Sequence, residues 1–220
     1  MKRHRLFFAA WLFCLAALGA TQRVAASRPH QDSHEYAPLQ TVKLNYRDWT
    51  YPALTGDAVN LRTWAKNKKL VLVVYFAPWC GNWRYESEVV ARLYAKYREH
   101  GFGVIAVNEY GAAAEAKAFF GANGPPYPVV IESEDRAKVG ETPHALYRRL
   151  TGDFRTYGSP YNVFIEPAAM NATGEVLAEH VTVANGELIE AEAEAFIREK
   201  LGLPASDPAS KAPDLAARRS

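Results

Sequence analysis

The residue whose chemistry and place in this sequence stand out is Cys80. The chain carries two cysteines, Cys14 and Cys80. Cys14 lies in a leader expected to be removed, so the mature chain keeps a single thiol and cannot close an internal disulfide. In an oxidising compartment such a thiol is either buried and inert or reactive toward an external sulfur. The surrounding residues Ala77, Pro78, Trp79, Cys80, Gly81, Asn82 and Trp83 join the end of an apolar run to the start of an amphipathic stretch. A sulfur there sits at the positive end of a helix dipole, beside unpaired backbone N–H groups that favour the thiolate.

The elements that must hold this thiol are visible on both sides of it. Residues 70–76, Leu-Val-Leu-Val-Val-Tyr-Phe, are continuously β-branched, aliphatic or aromatic, the pattern of a central strand buried on both faces. Residues 86–100 place Val89, Val90, Leu93, Tyr94 and Tyr97 on one helical stripe that Gly101 ends. Residues 102–108 read as a second buried strand, 112–120 as a helix and 127–132 as a short strand. After an irregular stretch come strands over 161–165 and 176–183, joined by a turn near Asn171 and Gly174, and a helix over 187–201. This order predicts an α/β fold, a mixed sheet between helices. No fixed-period repeat is present, and no glycine-rich phosphate loop follows a strand, so nucleotide binding has no support.

The flanks read differently. A basic start, with Lys2, Arg3 and Arg5, precedes an apolar run over 6–18 that is too short to span a bilayer, which describes a secretory signal peptide. Cleavage is expected after Ala26, with Ala20 as the second choice. Residues 27–38 then form a polar linker, 39–202 the folded domain and 203–220 a disordered proline- and alanine-containing tail. Losing residues 1–26 leaves 22 basic against 24 acidic side chains. A surface so nearly neutral gives no reason to expect nucleic acid or an anionic membrane as partner. A periplasmic or secreted location follows, with an uncleaved membrane anchor as the alternative that the short apolar run disfavours.

The stretch Trp79, Cys80, Gly81, Asn82 between strand and helix resembles the Trp-Cys-x-x-Cys motif of the thioredoxin-like superfamily, most closely its exported TlpA-like or redoxin branch. Gly56, Val59 and Leu61 resemble the Gly-x-x-Val-x-Leu that opens the domain in that branch, and the resemblance runs over about residues 39–201. It implies a thioredoxin-like fold in which Cys80 is the attacking sulfur and Trp79 an aromatic wall before it. Ser159 and Pro160 become the cis-proline turn facing that sulfur, where a substrate chain can pair as an added strand. Glu86 matches an acidic residue near the active thiols, with proton transfer or thiol tuning as its role; as a first-turn glutamate it could instead serve only the helix dipole. The resemblance departs at Trp83, which replaces the second cysteine, and at Glu88, where the family has a helix-kinking proline.

Without a second thiol to release a mixed disulfide, three readings stand. Cys80 is a monothiol catalyst released by an external thiol such as glutathione or a membrane redox protein, acting on protein or small-molecule thiols and disulfides. Alternatively it is a peroxidatic cysteine, although Val73 and Ala77 occupy the proline and hydroxyl positions of the peroxiredoxin pattern. The third reading is a binding module that grips extended peptides between Trp79, Trp83 and Pro160 without turnover. None of the three calls for a cofactor or a metal: His100, His144 and His180 lack ligand spacing and read as surface or capping residues. The long segment 133–158, with Arg136, Lys138, Arg148, Arg149 and Arg155 among Tyr147, Phe154 and Tyr157, either shapes specificity beside the thiol or is a solvated basic face balanced by Glu132, Glu134, Asp135 and Glu141. Asn171-Ala172-Thr173 fits a glycosylation pattern but is equally a turn.

Overall fold

Seven consecutive buried residues in β5 (Leu70–Phe76) set the layout, because a strand with no exposed side chain needs cover on both faces. The computed structural model describes residues 34–205; the expected signal peptide, most of the linker and most of the tail lie outside them. Along the chain, β1 (Tyr36–Ala37), β2 (Gln40–Arg47), β3 (Thr50–Pro52), β4 (Ala58–Asn60) and α1 (Leu61–Ala65) precede β5. After it come α2 (Gly81–Tyr97), β6 (Phe102–Asn108), α3 (Ala113–Phe120), β7 (Val129–Ile131), α4 (Pro143–Leu150), β8 (Tyr161–Ile165), β9 (Val176–Ala184), β10 (Glu187–Leu188) and α5 (Glu190–Leu201).

The main sheet runs β2-β9-β8-β5-β6-β7. β5, β6 and β7 are parallel, while β8, β9 and β2 add on antiparallel. The alternation of side chains along β5 divides the core. Leu70, Leu72, Val74 and Phe76 pack with α2 and α5, whereas Val71, Val73 and Tyr75 face Leu61, Tyr46 and Tyr147 on the other side. Each fully buried aliphatic side chain of this kind contributes about 1.5–3 kcal/mol relative to exposure. The α/β fold expected from the sequence, a mixed central sheet flanked by helices, is the fold observed.

Several boundaries move. The helix expected over 86–100 starts at Gly81 and gives way at Tyr97 to a 3-10 turn closed by Gly101 at φ +100°. This places Trp83 and Glu86 within the helix. The first residues of the expected last helix, Glu187 and Leu188, instead pair with Tyr36 and Ala37. Those partners lie inside the segment read as linker. Strand β2 is absent from the sequence reading although it alternates inward Val42, Leu44 and Tyr46 with outward Thr41, Lys43 and Asn45. Asn45 takes φ +51° at a register shift in β2, a conformation asparagine tolerates.

Candidate active site

Cys80 is the N-cap of α2, with extended backbone and no side-chain cap of its own. Ala77, Pro78 and Trp79 carry the chain from the buried end of β5 to the helix start, and Cys80 stays half-exposed. Its Sγ lies 3.3 Å from the carbonyl oxygen of Ser159, and the Ser159–Pro160 peptide is cis. The Ser159 hydroxyl accepts from the Ala77 N–H at 2.9 Å. Chains separated by about eighty residues are thus tied at two points around the sulfur. Because a carbonyl only accepts, the sulfur is the donor in this contact.

Trp79 forms one wall. Its Nε1–H donates to the Tyr110 carbonyl at 3.0 Å, Tyr157 meets it edge-on at 4.8 Å, and the Arg136 guanidinium lies 4.5 Å over the indole. Tyr110 holds φ +57°, and its carbonyl also accepts from Arg136 Nε at 3.2 Å. Arg136 and Tyr157 both come from the segment 133–158. That segment is therefore not simply a solvated basic face: part of it closes on the residue next to Cys80, and Arg148 is buried beneath.

Trp83 does not flank the open side of the sulfur as expected. It is fully buried, stacked on Phe76 at 4.7 Å and close to Phe119 and Phe120. The helix starts five residues earlier than the apolar stripe suggests, and this turns position 83 inward. A substrate cannot reach Trp83 in this arrangement. What replaces the second cysteine is a core side chain.

Glu86 is also inside, 1% exposed, and lies in the second turn of α2 rather than in its first. Its Oε2 accepts from the Leu188 N–H at 2.8 Å, and Oε1 has no partner. Burial pushes this carboxyl up to about 8, against the pull of the Asn162 amide and the Leu188 N–H. Asn162, two residues beyond Pro160, donates to the Gly186 carbonyl at 2.9 Å. Glu86 thus reaches the sheet behind the cis-proline, not the sulfur itself.

A second buried acid group sits against the opposite face of β5 and has no counterpart in the sequence reading. Glu109 follows β6 with neither carboxyl oxygen hydrogen-bonded, Oε2 lying 4.0 Å from His144 Nδ1, and burial together with neighbouring Glu132 holds it well above the carboxylate range. Tyr51 donates to Glu132, as does the His144 N–H at 3.3 Å. His144 is fully buried rather than at the surface: it stacks on Tyr75 at 4.8 Å, and its Nδ1 shares a hydrogen bond with the Tyr110 hydroxyl at 3.1 Å. Burial keeps its imidazole neutral. Single glutamates after strands and a histidine inside an irregular stretch carry no period, so only the closed fold brings them together. Among the described residues no group of three or more His, Cys, Asp or Glu side chains could hold a metal ion, and no helix is long and apolar enough to cross a membrane.

Residues 38–145 match the family model described as Redoxin. Among solved structures, a hypothetical protein from Sinorhizobium meliloti 1021 is similar, at 14% identity and TM-score 0.51, over 77% of this chain and 91% of that one. A thiol:disulfide interchange protein of the thioredoxin family from Chlorobium tepidum is 21% identical with TM-score 0.49, over 71% and 95%. A secreted Mycobacterium tuberculosis disulfide oxidoreductase is 12% identical with TM-score 0.48, over 69% and 95%. No curated protein matches the sequence. The redoxin match covers β5 and the Cys80-capped helix, with the cis-proline turn following beyond it, so residues 38–145 belong to the redoxin branch of the thioredoxin-like superfamily.

Proposed function

We propose that this protein carries out thiol–disulfide exchange through Cys80 alone, outside the cytoplasm, on protein or small-molecule disulfides. The observation that supports this most is the half-exposed sulfur at the start of a 17-residue helix, 3.3 Å from the residue preceding the cis-proline. The Cys80 thiolate attacks a disulfide RS–SR′, forming Cys80–S–SR and releasing R′S⁻. No second cysteine follows, so an external thiol, glutathione or a membrane redox protein, attacks the mixed disulfide and returns Cys80 as thiolate. Trp79 serves as the wall for the incoming chain, and the Ser159–Pro160 backbone as its docking edge.

Glu86 is given the role of proton reservoir behind that edge. With its carboxyl pushed up to about 8 it is protonated near neutrality, so it adds no negative charge against a forming thiolate.

The test is mass spectrometry of the folded chain with glutathione disulfide. A single glutathione adduct on Cys80 that excess reduced glutathione removes is the expected result. An adduct that no thiol releases would favour a module without turnover, and oxidation by hydroperoxide without any disulfide substrate would favour a peroxidase.

A further inference from the structure

Helix α4 buries His144, Ala145, Tyr147 and Arg148 and leaves a second apolar stripe facing outward. Leu146 is 51% exposed, Leu150 63%, and Phe154, just past the helix end, 81%. Three large apolar side chains at four-residue intervals exceed the isolated exposed leucine that needs no explanation. Leu146 and Leu150 alone span about 6 Å of helix, and Phe154 carries the stripe further, a reach suited to a chain more than to a small thiol.

Beside the stripe lies a cleft of about 220 Å³ lined by Val139, Ala145, Arg149, Asp153, Phe154 and Arg155. Its carboxylate is already satisfied. Asp153 receives Arg148 Nε at 3.0 Å and Arg155 Nη2 at 2.8 Å, and these bonds hold it down at about 2 despite its burial. Arg149 is exposed and forms no ion pair with any described residue. The face therefore offers apolar contacts next to an uncompensated cation. It is continuous with the site: Arg155 Nη2 donates to the Pro160 carbonyl at 3.3 Å, and Tyr157 abuts Trp79.

We infer that the outer face of α4 with Phe154 is a docking surface for a polypeptide that presents bulky apolar side chains beside a carboxylate. This deepens, and rests on, the reading of Cys80 as an exchange site, by making its partner a protein segment. The apolar stripe supplies contact area and Arg149 supplies orientation.

The experiment uses the full mature chain bearing Cys80→Ser and a fluorescein-labelled synthetic peptide of alternating Leu, Phe and Glu, followed by anisotropy. Leu150→Ser with Phe154→Ser should weaken binding by at least about tenfold. Both side chains are exposed, so an unchanged melting temperature is expected and shows that the fold is intact. Arg149→Glu should weaken the Glu peptide and strengthen its Lys-for-Glu counterpart. Equal affinity in all variants overturns the inference. So does capture by anionic phospholipid vesicles that the same substitutions abolish while the peptide stays unbound, since this assigns the face to a membrane. Reaction of unsubstituted chain with glutathione disulfide is read separately: its failure with peptide binding intact overturns the exchange chemistry and supports the docking face.

Discussion

Cys80 Sγ lies 3.3 Å from the Ser159 carbonyl, while the Ser159 hydroxyl receives the Ala77 N–H at 2.9 Å. One serine thus binds both the reactive sulfur and the loop that delivers it. Ser159→Ala leaves the buried Ala77 N–H without a partner, which costs about 1–3 kcal/mol. Urea unfolding of this variant is expected to show a midpoint lowered accordingly, with slower reaction toward glutathione disulfide. An unchanged midpoint would mean that this bond does not hold the loop.

Trp83 is a packing residue, stacked on Phe76 within the core. Trp83→Ala should lose about 3–5 kcal/mol, in line with large-to-small core replacements. Trp83→Phe should keep most of the stability and the reaction rate of Cys80. If Trp83→Phe slows exchange with small disulfides while leaving stability intact, the indole contributes to the chemistry after all.

The buried acids predict how stability depends on pH. Glu86 titrates near 4.5 when unfolded and at about 8 when folded. The folded chain then binds more protons across that window, so stability falls as pH rises from about 4.5 to about 8 and levels off above it. The full swing from Glu86 is of order 5 kcal/mol. Glu109 is raised as well and adds to the same trend. Urea midpoints measured from pH 5 to pH 9 should decline, and Glu86→Gln should flatten part of the decline and be the more stable protein at the alkaline end. A profile identical in both would remove Glu86 from the account.

Arg148 and Asp153 form an ion pair in which each side chain is only 3% exposed. Removing one partner strands a buried charge, so Asp153→Ala should cost about 3–5 kcal/mol. Gly158 packs onto the same guanidinium at φ +55°. A Cβ there would run into Arg148, and Gly158→Ala should lower the melting temperature and slow Cys80 together, because Ser159 follows directly. A stable Gly158→Ala with an unaltered rate would show that Arg148 does not set this loop.

The sequence shows β5 and the Cys80 motif because both are local: seven apolar residues in a row, then a helix start. The pairing of Ser159 with Cys80 comes from the family resemblance, and the order of strands in the sheet is not legible at all, since contacts across about eighty residues leave no period. β2 alternates plainly yet goes unread beside a polar linker, and only its pairing with β9 settles it. Trp83 and Glu86 are misplaced for one shared reason: the helix begins at Gly81, before its apolar stripe does. The Glu109, Glu132 and His144 cluster is invisible because nothing in three separate segments announces a common interior.

The central claim is that the fold activates Cys80. The most direct test compares the rate of mixed-disulfide formation with glutathione disulfide at neutral pH in the folded chain and in the same chain unfolded in urea. A thiol favoured by the α2 N-terminus should react about threefold faster when folded, since the gain in thiolate from a helix end outweighs its lower nucleophilicity. A folded chain that reacts more slowly than the unfolded one would contradict the account and leave Cys80 a protected packing residue.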